Sequence, residues 1–185
     1  MSVRKNFNQR GFTLLEALIA IVLLAFAFLS TAGLHLNTLR ETTQSAQNTV
    51  AAQLADELVS RLRVSSQDQI AAVLEAAGTA NASCYTPAGC KRDEMALDEI
   101  SKWKASVSDR LGGGVNVSGT PVAGGTVCRD TGPGDGSPAG NACTGGASDP
   151  IVIKLWWPRR ADKYDPLRPT AGYQQYFVPY VPKNF

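Results

Sequence analysis

The chain has 185 residues, 44% of them apolar, with 18 Lys+Arg against 16 Asp+Glu and a formal net charge of +2. So small an excess gives no support for a nucleic-acid or anionic-surface partner, which would need a basic patch. One histidine, His35, and four cysteines without a CxxC spacing argue against a Ser/His/Asp hydrolase and against a zinc site.

The first segment, residues 1–11, carries Arg4, Lys5 and Arg10 and no acid. An apolar run follows, nearly unbroken from Ala17 to Leu29 and weaker to Leu36. Phe12 to Leu36 is 25 residues, about 37 Å of helix, enough to cross a hydrocarbon core of about 30 Å with some tilt. The basic flank is expected to stay cytoplasmic and the rest of the chain to face outward. Ala25-Phe26-Ala27 has the small-x-small pattern of ordinary signal cleavage. Against that reading, Glu16 separates the basic leader from the apolar core, and apolar, helix-compatible sequence continues past Ala27. A carboxylate at the mouth of a membrane segment needs a partner.

Gly11-Phe12-Thr13-Leu14-Leu15-Glu16 resembles, at every position, the class III signal of type IV pilins and the related secretion pseudopilins. The resemblance implies cleavage between Gly11 and Phe12 by a prepilin peptidase, N-methylation of Phe12, and an assembly role for Glu16. Elementary electrostatics agrees, because a new α-ammonium at Phe12 would lie four residues before Glu16 on one helix face, beside the positive end of the helix dipole. In a filament the glutamate would pair instead with a neighbouring subunit's amine and set the axial register. Loss of the leader leaves 15 basic against 16 acidic side chains, a formal charge of −1, so the basic balance belongs to the precursor.

Residues 12–36 thus form the membrane half of a long helix, and 37–65 an amphipathic stalk. Asn37 to Val64 has no Pro or Gly and places Ala46, Val50, Leu54, Leu58 and Leu62 at four-residue steps, flanked by Ala51 and Ala55. Glu57 and Arg61 are spaced to pair at i, i+4. Gly33 is either a weak point in the helix or a small residue for close packing in membrane.

Residues 66–111 form a connector: a short helical stretch through Ala77, a turn holding Cys84 and Cys90, and an amphipathic helix from about Asp93 to Leu111 whose face is Leu97, Ile100, Trp103, Val107 and Leu111. Trp103 is expected in the core. From 112 to 185 the composition turns to Gly, Thr, Ser, Val and Pro, with candidate strands Val115 to Ser118, Thr126 to Asp130, Pro150 to Trp157 and Tyr173 to Tyr180. Alternation puts Ile151, Ile153, Leu155 and Trp157 on one face and Val152, Lys154 and Trp156 on the other, so Trp156 is expected to be exposed. Cys84, Cys90, Cys128 and Cys143 all follow the membrane segment and read as two disulfides; of the three possible pairings the sequential one is simplest. The expected fold is α+β and pilin-like, a transmembrane and stalk helix packed against a small antiparallel sheet.

The head resembles a PilV-type minor pilin in the Ala96 to Trp103 helix, in Val127-Cys128-Arg129-Asp130 and in Ile153-Lys154-Leu155-Trp156-Trp157. The resemblance implies a structural subunit that helps prime a pilus serving twitching motility, adhesion or DNA uptake. It would sit in the inner membrane with its head in the periplasm before assembly, and in the pilus afterwards. Its partners would be other minor pilins, the major pilin, the prepilin peptidase, the inner-membrane assembly platform and membrane lipid, with no cofactor and no enzymatic activity. A minor pseudopilin of the I or J type in a type II secretion system, or a membrane-tethered adhesin head, are the alternatives. Two binding readings also arise from the residues. Asp130, Asp135, Asn141 and Asp149 offer oxygens for calcium without the EF-hand spacing. Trp156, Trp157, Arg159, Arg160, Lys163, Tyr164 and Arg168 mix aromatic and basic groups as single-strand binders do, although strand and turn chemistry explains them equally.

Overall fold

The computed structural model describes residues 13–112, 122–158 and 172–182, the side chain of Arg40 apart. Its elements are α1 (Leu14–Val64), α2 (Gln67–Val73), a 3-10 turn (Ala82–Tyr85), α3 (Arg92–Arg110), β1 (Gly124–Arg129), β2 (Ile151–Pro158) and β3 (Tyr173–Tyr180). The chain divides into two compact units, Met1–Ser45 and Ala46–Phe185. The expected strand at Val115 to Ser118 lies outside the described residues.

In the first unit every described residue belongs to α1 or to its cap. Thr13 opens the helix, its carbonyl accepting from the N–H groups of Glu16 and Ala17 and its hydroxyl accepting from Glu16 at 3.3 Å. Ser30, Thr31 and Thr38 turn their hydroxyls back onto carbonyls of the preceding turn, so these polar groups are satisfied within an apolar stretch. The helix passes Gly33 without a break, and nothing lies within 4 Å of where a Cβ would stand.

The second unit begins with the outer part of α1, which buries Ala51, Leu54, Ala55, Leu58, Val59 and Leu62. Ala46, expected on this face, is exposed, and Val50 is only half-buried. Four-residue steps advance about 40° beyond a full turn each time, so a stripe of fixed direction must drop one row and take up another; Val59 enters as Ala46 leaves. Glu57 and Arg61 pair at 2.5 Å on the solvent side.

Ser66 starts α2 with a capping box, its hydroxyl accepting from the Gln69 N–H while the Gln69 side chain accepts from the Ser66 N–H. α3 presents Ala96, Ile100, Trp103 and Val107 to the core, with Leu111 buried just after it; Leu97 is half-buried. The three strands run antiparallel in the order β1-β2-β3, with Val127 opposite Ile153 and Ile153 opposite Val178. The inner face of β2 (Ile151, Ile153, Leu155, Trp157) joins α1 and α3 in one apolar cluster.

The outer face corrects the sequence reading. Val152, Lys154 and Trp156 are as buried as the inner row, Trp156 being only 1% exposed. The cause is the segment between β1 and β2, which folds back over the sheet. Lys154 Nζ donates to the Asn141 carbonyl, Gln175 donates to the Asp135 carbonyl at 2.9 Å, and a Cβ on Gly124 would stand 3.2 Å from Pro138. Alternation says which side a side chain takes; it does not say whether a distant loop covers that side.

Candidate functional site

Glu16 lies in the first turn of α1, where an acid complements the helix dipole. Around and beyond it Leu14, Leu15, Leu18, Ile21, Leu24, Phe26 and Phe28 are all exposed. A helix apolar on every side is stable in lipid or among other helices, not in water. An 18-residue window of α1 has a mean hydropathy of 2.5 and none of it is buried, so the helix is long and apolar enough to cross a membrane. Gly11 and Phe12, the expected cleavage and methylation positions, lie outside the described residues.

Residues 6–32 match the prokaryotic N-terminal methylation motif. That match brackets Gly11, Phe12 and Glu16 and stops short of the head. No curated protein and no solved structure matches the chain. With the methylation motif at its start, a long apolar helix and a three-stranded antiparallel sheet, the chain has an α+β, pilin-like architecture, that of a type IV pilin-like or pseudopilin protein. The motif implies pilin partners and processing by a prepilin peptidase, fits a membrane-anchored subunit and points to a structural role.

The structure joins Cys84 to Cys90 and Cys128 to Cys143. Each staple sits beside a polar cluster that sequence patterns did not reveal. At the first, the buried carboxylate of Asp98 accepts from the Asn81 N–H at 2.8 Å, from the Tyr85 hydroxyl at 2.5 Å, and from Lys102 at 3.1 Å. Lys102 also lies over the Tyr85 ring, 3.6 Å from its centroid. The Tyr85 hydroxyl, then the Asn81 N–H and Lys102, hold the Asp98 carboxyl down at about 2. Lys102 is pushed upward, first by Tyr85 and then by Asp98. Asp98 therefore fastens the Cys84–Cys90 loop to α3.

At the second staple Lys154 is fully buried in the middle of β2. Its ammonium meets Asp130 Oδ2, Asp135 Oδ1 at 2.8 Å and the Asn141 carbonyl at 3.2 Å. Burial pulls the Asp130 carboxyl upward, but Lys154 and the Gly132 N–H outweigh it and leave it lowered. Burial likewise opposes the Lys154 charge, and the two carboxylates raise it above its usual value. The visible signal is one Lys inside the apolar run Ile151-Val152-Ile153-Lys154-Leu155-Trp156-Trp157, a residue type almost never buried unless paired.

These contacts bear on the two binding readings. Asp130 and Asp135 converge on the chain's own cation, and the Asp149 carboxylate accepts from the Gly146 N–H and the Thr144 hydroxyl, so these three carboxylates are engaged within the chain. Trp156 and Trp157 are buried, and the Trp157 indole donates to Gln174 at 2.8 Å, which removes both rings from any stacking surface. Arg159, Arg160, Lys163, Tyr164 and Arg168 lie outside the described residues.

Proposed function

We propose that the chain is a minor pilin: a membrane-stored structural subunit, resembling the PilV type, that enters a type IV pilus and helps prime its assembly. The observation that carries this reading is the methylation motif over residues 6–32, continuous with an uncovered apolar helix whose first turn holds Glu16. The mature chain would cross the inner membrane once with its head in the periplasm. Transfer of such a helix from lipid into a bundle of similar helices changes its apolar burial little, so hydrophobic energy alone does not choose its position. A carboxylate that must find a counter-charge does choose, and Glu16 against the Phe12 amine of a neighbouring subunit gives the register.

Mass spectrometry of the mature N-terminus tests this, with methylated Phe12 expected. A mature chain that starts beyond Glu16 would sink both the processing and the register mechanism. Glu16→Ala is expected to leave membrane insertion intact and to deplete the subunit from sheared pili; equal recovery of variant and parent would contradict the pairing. Co-purification with a major pilin separates a pilus subunit from a pseudopilin of a secretion system. An unprocessed chain recovered only in the membrane would mark a tethered adhesin head.

A further inference from the structure

Lys154 and Asp130 form an unusual enclosure for two charged groups. The lysine is 0% exposed along its whole side chain and the aspartate 1%, with their reactive ends in contact. Lys154 stands between Val152 and Trp156 on the outer face of β2, and Asp130 follows directly on β1, the neighbouring strand. The segment that covers them is tied down by Cys128–Cys143. A third group, Asp135, also touches Nζ, yet its side chain is 57% exposed. Taking an ammonium and a carboxylate out of water carries a large desolvation penalty, which a neutral linkage between the same two groups would abolish.

We propose that Lys154 Nζ and Asp130 Cγ become joined by an intramolecular side-chain amide, with Asp135 as the proton carrier. A proton first passes from the ammonium to Asp130, giving a neutral amine against a neutral carboxylic acid. Burial works against both charges, but the pairing keeps the ionised form dominant, so the neutral pair is a minority species. The amine then attacks Cγ, forming the N–C bond, while the Asp135 carboxylate takes the second nitrogen proton. Asp135 returns that proton to the departing hydroxyl as the C–O bond breaks, and one water leaves. Atoms balance without any oxidant, reductant or external reagent, and Asp135 ends as it began. Two carboxylates on one ammonium make this possible: after Asp130 has accepted a proton, Asp135 remains as base. Its solvent-facing position offers water a way out. The fold holds the reacting groups in permanent contact and each chain needs to react only once, so a sparse neutral population is sufficient.

The test is tryptic digestion of the full-length, detergent-purified chain after reduction and alkylation, read by tandem mass spectrometry. Trypsin should cut after Arg129 but not after an acylated Lys154. The expected product is therefore the fragment from Asp130 to Arg159, uncut at Lys154 and lighter by one water. A fragment ending at Lys154 with full mass means an ion pair only and overturns the proposal. Loss of water with normal cleavage at Lys154 means a cyclic imide at Asp130 and overturns it equally. Asp135→Asn, at a half-exposed position, is expected to leave the fragment unlinked and cleavable, and Asp135→Glu to restore the linkage. Complete linkage in Asp135→Asn would overturn the role given to Asp135.

Discussion

The indole N–H of Trp103 donates to the main-chain carbonyl of Leu54 at 2.8 Å, joining α3 to the outer part of α1 across 49 positions of sequence. The same ring closes over the sheet: a Cβ on Gly125 would stand 2.6 Å from Trp103 Cη2. One side chain thus touches helix, helix and strand.

Trp103→Phe keeps most of that apolar contact and forfeits the hydrogen bond, so it is expected to cost about 1 kcal/mol. Trp103→Ala should cost about 3–5 kcal/mol, because the cavity cannot close against three elements at once. Denaturant unfolding of the full chain in detergent measures both. An alanine variant within half of the phenylalanine variant's loss would refute the packing account.

Gly78 has φ +83, and a Cβ there would fall 2.6 Å from the Ser101 backbone nitrogen. The adjoining Thr79 N–H donates to the Leu97 carbonyl at 3.1 Å, so this close approach seats the connector on α3. Gly78→Ala combines a left-handed backbone with a clash against helix backbone and is expected to destabilise by more than about 1 kcal/mol. Gly33→Ala, with open space around it, should leave the unfolding midpoint of the head unchanged. Equal midpoints for the two variants would show that the approach at Gly78 is not constrained.

The Asp98 carboxyl sits at about 2 in the folded chain, below the ordinary 3.8, chiefly through the Tyr85 hydroxyl. A depressed carboxylate contributes stability that is present above its unfolded pKa and lost as pH falls through the folded one. Part of the acid sensitivity between about pH 4 and pH 2 should therefore come from this group. In Asp98→Asn that part of the slope should vanish, and the variant should be less stable at neutral pH. Thermal unfolding followed against pH decides it; an unaltered acid limb would remove Asp98 from the account.

The two disulfides are expected to differ in weight. Cys128–Cys143 closes a separation of 15 residues, worth about 3 kcal/mol in the chain-entropy account. Cys84–Cys90 closes a separation of 6, worth about 2 kcal/mol on the same account, and Asp98 holds that loop independently. Replacing each pair by serines and comparing unfolding midpoints should give the larger loss for Cys128/Cys143. The reverse order would mean that the Asp98 contacts do not hold the first loop.

Gly33 separates two readings of the apolar part of α1. With nothing near it in the monomer, Gly33→Ala removes the helix-propensity cost of glycine, about 1 kcal/mol in an exposed helix interior. If another helix packs closely there in the assembled state, the same variant should lower recovery in sheared filaments while head stability stays constant. Unchanged recovery would leave Gly33 as a propensity defect without a packing role.

Much of what depends on neighbours within a few turns was legible in the residues themselves, although the short helix expected through Ala77 ends at Val73. The apolar run and Glu16 announced α1, the three- and four-residue spacing around Trp103 announced α3, and β-branched and aromatic alternation placed β2 and β3 to within a residue. Such features follow from backbone periodicity and local charge, which the chain carries wherever it goes. The burial of Trp156, the ring of oxygens around Lys154, the seat of Tyr85 on Asp98, and the Tyr180 hydroxyl donating to Leu62 across 118 positions at 2.9 Å were decided only in three dimensions. Each requires a loop or strand end to arrive from far along the chain, and no local period records where a distant segment will come to rest.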